Sequence, residues 1–276
     1  MNAETPDEHP PMSTPEAVSY ARAATRLGKA AAIDPAMCLS YGAVRGQDME
    51  IYEPATGKNL PVVVFFHGGA WTHGSLEWLR FMAPAVTALP AVFVAATYRL
   101  APKHRWPAAF DDVCSALHTV YELAGPRGYD RGRIVVAGHS AGGHLAALAT
   151  LRGGFPWIRS CFPVSSRFDL HTANPSPGSG EERVYKMVLA HPAQDVDASP
   201  IRFIDNNRIP FHILWGENDF PRVSSSSHAM VDALTAQGVR VSSTIVPGAG
   251  HFDTHLQLAD PGNAWYARLK QELEPC

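Results

Sequence analysis

Cysteine is scarce in this chain. Its 276 residues include four, Cys38, Cys114, Cys161 and Cys276, widely scattered and with no CxxC pair. That spacing argues against a disulfide framework or a zinc knuckle. Lys and Arg form no block, and the formal net charge is −3, so nothing in the charge points to nucleic acid or a membrane surface. Only 18% of residues are charged against 46% hydrophobic, the balance of a globular chain and not a disordered one. No apolar run approaches the roughly 18 residues of a membrane span. No charged-then-apolar leader is seen, and no internal repeat. The expectation is a cytoplasmic protein whose partner is a small, roughly neutral molecule, with a homodimer left open as an assembly.

Residues 1–14 (MNAETPDEHPPMST) are polar and Pro-rich, and a disordered tail is expected there. An Ala-rich, helix-prone stretch follows from Pro15 to about Ala32, with Ser13 or Thr14 as its cap. Beyond it, short β-branched runs alternate with amphipathic stretches. The runs are Pro61–Phe66, Ala91–Thr97, Arg133–Ala137, Ile158–Val164, Phe211–Trp215 and Val241–Val246. The helical stretches are Leu76–Leu89, Ala108–Ala124, Gly143–Leu151 and Ser224–Gln237. Such alternation predicts an α/β fold with a mostly parallel sheet and helices on both faces; continuous apolar runs suit strands buried on both sides. Met49–Tyr52 reads as an early antiparallel strand. Between Asp169 and Phe211 the rhythm breaks. His171–Gly180 is loop-like and Glu182–Ala190 suits a short helix. This insertion, about 170–210 in a domain spanning 15–276, is expected to be a small lid or a mobile rim of a substrate pocket.

Gly138-His139-Ser140-Ala141-Gly142 fits the G-x-S-x-G pattern, with a strand-like run before it and a helix-like run after it. That context marks a nucleophile elbow, a strained turn that needs small neighbours and lifts the serine above the sheet. Ser140 is therefore the expected nucleophile. His67-Gly68-Gly69-Ala70-Trp71 directly follows the strand Pro61–Phe66. A tetrahedral intermediate needs preorganised donors for its oxyanion, and glycine lets backbone N–H groups come close. Gly68 and Gly69, with Ala141 from the elbow, are the expected donors. His67 is expected to brace this loop by hydrogen bonds.

A serine hydroxyl needs a base. Thirteen histidines are present, so position must choose among them. His251 lies in the small-residue loop Pro247–Phe252 after the last predicted strand. The loop after the preceding strand holds Glu217 and Asp219. Asp219 is the expected acid and Glu217 the alternative, and the chain order Ser, Asp, His suits this elbow. His139 and His144 flank the nucleophile and are expected to shape the elbow or pocket. His251 and His255 have i,i+4 spacing, but no third ligand follows and no metal is expected. His104, His191 and His212 read as structural or exposed. Trp71, Trp78 and Phe252 are candidate apolar walls, and Trp71, His139 and Phe252 the expected substrate contacts.

Together HGGAW, Tyr98–Pro102, GHSAGGH, the Asp219 loop and the GAGH loop resemble the hormone-sensitive-lipase-like branch of the α/β hydrolases, including its kynurenine formamidase-like members. The resemblance runs from about Met49 to Leu273. Ala70 stands where lipase-like members carry a further glycine, and His139 where they carry an acid, which is closer to the formamidase side. The resemblance implies that Asp111 and Asp112 are structural. It also implies a cofactor-free serine hydrolase for short-chain or aryl carboxylic esters, or else an arylformamidase. A non-catalytic binder on the same scaffold is the reading from another class.

Overall fold

The computed structural model describes residues 10–275. One eight-stranded sheet organises them: β1 (Met37–Ser40), β2 (Asp48–Tyr52), β3 (Leu60–Phe66), β4 (Val92–Ala96), β5 (Tyr129–His139), β6 (Ile158–Val164), β7 (Phe211–Asn218) and β8 (Val241–Gly250), in the spatial order β1-β2-β4-β3-β5-β6-β7-β8. β2 runs antiparallel to both β1 and β4, and from β4 to β8 every neighbouring pair is parallel. The helices are α1 (Pro15–Ala30), α2 (Ala83–Thr87), α3 (Ala108–Arg127), α4 (Ala141–Arg152), α5 (Gly180–Arg183), α6 (Pro221–Ala236), α7 (Asp253–Leu256) and α8 (Ala264–Leu273).

The apolar runs are continuous because both faces of the sheet are covered. Alternate residues go to opposite sides. Val62, Val64, Phe66 and Val136 pack with Val113 and Leu117 of α3, Leu145 of α4 and Met230 of α6. Val63, Phe65, Val135 and Ala137 pack with Tyr20 and Ala24 of α1 and Trp265 and Leu269 of α8. The chain leaves β3 for β4 on one side and later enters β5 on the other. Open α/β sheets carry their ligand crevice at such a reversal, beyond the carboxyl ends of the strands.

Four expectations are refined. Residues 1–9 of the expected tail lie outside the described residues. Residues 10–14 are engaged, not loose: Pro10 O accepts from His73 Nε2 at 2.6 Å, Met12 packs on the core, and Thr14 Oγ1 caps α1 by accepting from Ala17 N at 3.2 Å. Leu76–Leu89 is not one helix. It breaks into two 3₁₀ turns and the short α2, because α1 crosses directly above: a Cβ on Gly28 would lie 2.0 Å from Glu77 O. The insertion contains only α5, one π-type turn and 3₁₀ turns, yet it is seated rather than a loose rim. Val184, Val188 and Leu189 are buried, and Val188 O accepts from Trp106 N at 2.8 Å. Cys38, Cys114 and Cys161 are free thiols, and Cys276 lies outside the described residues. No helix among the described residues is long and apolar enough to cross a membrane.

Candidate active site

Ser140 stands between the last residue of β5 and the first of α4, with φ +53° and ψ −116°. A non-glycine residue holds such a conformation only where its surroundings enforce it. Two contacts do so here. Ser140 N donates to Val164 O at the end of β6 (2.8 Å), and Ser140 O accepts from His144 N (2.9 Å). The turn also demands glycine beside it, since a Cβ on Gly142 would lie 2.1 Å from Phe66 O. The sharp strand–turn–helix passage is thus a consequence of β3 and α4 nearly touching.

The loops after β7 and β8 complete the arrangement. Asn218 pairs with Gly250 across these strands, which brings Asp219 beside His251. His251 Nε2 lies 2.9 Å from Ser140 Oγ, and His251 Nδ1 lies 2.7 Å from Asp219 Oδ1. With Nδ1–H donated to the carboxylate, Nε2 is left bare to accept the serine proton. Burial would raise the Asp219 carboxyl, but the His251 hydrogen bond and charge, the Ser165 hydroxyl and the Phe220 N–H outweigh it. The net shift lies below the ordinary aspartate value. Glu217 goes elsewhere, accepting from Gly248 N at 2.8 Å.

Gly68 lies against Ser140: a Cβ there would sit 3.2 Å from Ser140 Cβ and 2.6 Å from His139 Nδ1. Gly69 follows with φ +125°, and its carbonyl accepts from Thr72 N and His73 N. Ala141 opens α4, where the first N–H groups have no partner within the helix. His67 holds its own loop. Nδ1 bonds Gly68 O at 2.8 Å, the ring stacks on Tyr98, and Tyr98 Oη donates to His67 O at 2.9 Å. Asp112 anchors the neighbouring Tyr98–Pro102 segment. It is buried and accepts from Arg99 N, the Arg99 guanidinium and Gln47 Nε2. Asp111 lies on the exposed side of the same helix.

The expected substrate contacts are placed unevenly. Trp71 is mostly buried, with its ring edge-on to His144 at 5.0 Å. Trp78 belongs to the core beneath α1, 5.3 Å edge-on from Tyr20. His139 is buried behind the triad, with Nε2 3.0 Å from His251 O and Nδ1 3.4 Å from Tyr20 Oη. Phe252 stacks on Tyr20 at 4.9 Å. His144 Nε2 bonds Ala198 O of the insertion at 2.7 Å, and His212 lies beside Glu272 at 3.1 Å. His255 turns away from His251 to Tyr20 Oη, 2.9 Å from Nδ1. Among the described residues no group of three or more His, Cys, Asp or Glu side chains is arranged to hold a metal.

Four residues of the site escaped the sequence reading. Phe220 is 51% exposed and lies 4.5 Å over the His251 ring; its position directly after Asp219 was a usable signal. Ser165 and Thr254 link hydroxyls at 2.7 Å, and Thr254 Oγ1 donates to His251 O at 2.9 Å. Tyr20, over a hundred residues from each histidine it touches, gave no local signal.

A family model described as the α/β-hydrolase fold matches residues 63–254. The chain belongs to the α/β hydrolases. Carboxylesterase NlhH of Mycobacterium tuberculosis is 45% identical over 225 residues, 79% of this chain and 63% of that protein. Esterase LipC of the same species is 33% identical over 217 residues, 71% of this chain and 54% of that protein. The hydrolase thus spans between half and two thirds of the length of these two relatives. Kynurenine formamidase of Danio rerio is 28% identical over 236 residues, 81% of this chain and 77% of that protein. Among solved structures, the carboxylesterase EstE1 from a metagenomic library superposes with a TM-score of 0.79 at 23% identity, covering 96% of this chain and all (100%) of that one.

Proposed function

We propose that this α/β hydrolase cleaves short-chain or aryl carboxylic esters through an acyl-enzyme on Ser140. The observation that carries the reading is the unbroken line from Ser140 Oγ to His251 Nε2 (2.9 Å) and from His251 Nδ1 to Asp219 Oδ1 (2.7 Å). As the serine oxygen attacks the carbonyl carbon, its proton passes to His251 Nε2. Asp219 steadies the imidazolium without taking the proton. The backbone N–H groups of Gly68, Gly69 and Ala141 receive the oxyanion. When the tetrahedral intermediate collapses, the carbon–oxygen bond to the leaving group breaks and His251 Nε2 returns the proton to it. Water then repeats the sequence on the acyl-enzyme, releasing the acid and restoring the Ser140 hydroxyl. No cofactor enters the scheme. The names of the carboxylesterase and esterase relatives support the ester reading.

A second reading, hydrolysis of an N-formyl arylamine, is favoured by the kynurenine formamidase relative. The same residues serve it, with an arylamine leaving in place of the alcohol. The deciding measurement compares kcat/KM for p-nitrophenyl acetate, butyrate and octanoate with that for an N-formyl arylamine in one buffer. Acetate or butyrate should lead. Preference for octanoate overturns the short-chain reading, and a formamide constant above every ester moves the function to the second. Turnover surviving in Ser140→Ala overturns the acyl-enzyme itself.

A further inference from the structure

Three residues past the end of β6 lies Arg167. Val164 O is the acceptor for the N–H of Ser140, Ser165 bonds Thr254 below the triad histidine, and Ser166 Oγ would sit 2.1 Å from a Cβ on Gly143 of the elbow. Three residues span at most about 10 Å of backbone, so Arg167 is rooted beside the site, at the strand ends where α/β sheets bind ligands. Phe168 N donates to Ser226 Oγ of α6, Phe168 O accepts from Ile201 N of the insertion, and Arg167 Nη2 itself reaches Asp169 O. Arg167 is therefore held where the end of β6 meets the insertion.

Among the described residues this cation has no carboxylate within ion-pair distance. Asp169 Oδ2 faces Arg202 at 3.3 Å, Glu181 Oε1 faces Arg222 at 3.0 Å, and Asp195 Oδ2 faces His171 at 2.7 Å. Arg167 makes one long hydrogen bond, from Nη2 to Asp169 O at 3.4 Å, and its Nε is buried without a partner. Burial, opposed in part by Glu181, holds its pKa below the ordinary arginine value, yet an arginine stays charged in a protein. Arg167 is half-buried, and a partly desolvated charge lacking its counter-ion is costly. Arginine's fork of donors matches a planar carboxylate in two parallel hydrogen bonds.

We infer that Arg167 recognises a carboxylate carried by the substrate, so that the preferred esters or formamides are anionic, with a free carboxylate a few bonds from the scissile carbonyl. The inference rests on the hydrolase reading above and sharpens its substrate class; it also replaces the neutral partner expected from net charge alone.

The test uses two matched pairs of aryl esters. One pair places the carboxylate on the acyl side, p-nitrophenyl hemiglutarate against p-nitrophenyl valerate. The other places it on the leaving group, 4-carboxyphenyl acetate against 4-carbamoylphenyl acetate. In the wild type, at least one anionic member should exceed its neutral twin about tenfold in kcat/KM, a discrimination of about 1.4 kcal/mol. That ratio should fall toward one in Arg167→Gln and lie between in Arg167→Lys. Equal constants within both wild-type pairs overturn the inference without any variant, and so does an unchanged ratio in Arg167→Gln. Binding separates this from failure of the hydrolase reading. The Ser140→Ala protein should bind the anionic ester about tenfold more tightly than its twin in calorimetry, whether or not Ser140 forms the acyl-enzyme. Equal affinities there also overturn it.

Discussion

The hydroxyl of Tyr20, on the first helix, hydrogen-bonds Nδ1 of His139, the residue immediately before Ser140, at 3.4 Å. The same hydroxyl lies 2.9 Å from Nδ1 of His255. His139 Nε2 faces the carbonyl of His251 and must carry a proton to do so. His139 Nδ1 is then an acceptor, filled when Tyr20 donates to it and itself accepts from His255 Nδ1–H. This direction leaves only the bare His255 Nε2 without a partner, as observed. Tyr20 thus supports His251 through His139 and, by stacking, through Phe252.

Tyr20→Phe tests that support. The ring and its stacking remain while the hydroxyl is lost. Steady-state kinetics should show kcat lower by about fivefold, matching roughly 1 kcal/mol for a buried hydrogen bond, with KM little changed. A rise in KM at constant kcat would mean that Tyr20 acts on substrate binding and not on the base.

Asp219→Asn should reduce kcat by several powers of ten, on the order of the 10⁴-fold cost of a mis-set histidine tautomer in other triads. Glu217→Gln should stay within about twofold, because its partner is the Gly248 N–H and not His251. Measuring both variants on one ester decides the matter. A reversed pair of results would make Glu217 the orienting acid.

Acid should unfold this protein early. Burial lowers His67 and His212 to about 4 and His144 and His255 to about 3, and with the His255 and His251 charges it lowers His139 well below the ordinary value. In the unfolded chain these rings titrate near 6.5. Below that pH the unfolded state binds the extra protons. Stability is therefore full above about 6.5 and falls as pH drops toward 4 to 3, by up to about 1.4 kcal/mol per pH unit for each ring. Urea midpoints at pH 7, 6 and 5 should decline steeply. His255→Phe, seated beside Phe65 and Phe81, should flatten that slope by about one proton. An unchanged slope would show that His255 is not held neutral.

Asp112→Ala should destabilise the fold by about 3–5 kcal/mol, because it strands the Arg99 cation and the Arg99 N–H. Asp111→Ala, on the exposed side of α3, should cost under about 0.5 kcal/mol. Thermal unfolding of the two variants makes the comparison.

The residues readable in the sequence were those whose chemistry is local. Gly138–Gly142 announces its turn through five adjacent residues, and β3 to β7 announce themselves as apolar runs because they are covered on both faces, whereas the edge strand β8 is largely exposed. Asp219 was separable from Glu217 by its place in the loop. The misses share one cause, which is contact across the chain. β1 is four residues long and only half-buried, so it has no run to display. The 76–89 segment carries a helical pattern, but α1 pressing at Gly28 breaks it into shorter turns. Tyr20, Ser165 and Thr254 act through partners that no window of sequence contains. The apolar spacing of Val184, Val188 and Leu189 seats the insertion despite the Pro, Gly and Ser that precede it.

The distance along the chain between Ser140 and His251 bears on how the protein is made. They are 111 residues apart, so a ribosome working at about 5–20 residues per second finishes Ser140 roughly 6–22 s before His251. His251 also follows the edge strand β8, which cannot dock until β7 is in place. Through most of that interval the nascent chain carries the Gly138–Gly142 segment with neither Asp219 nor His251 beside it. The Ser140–His251 contact therefore forms only with the closing strand.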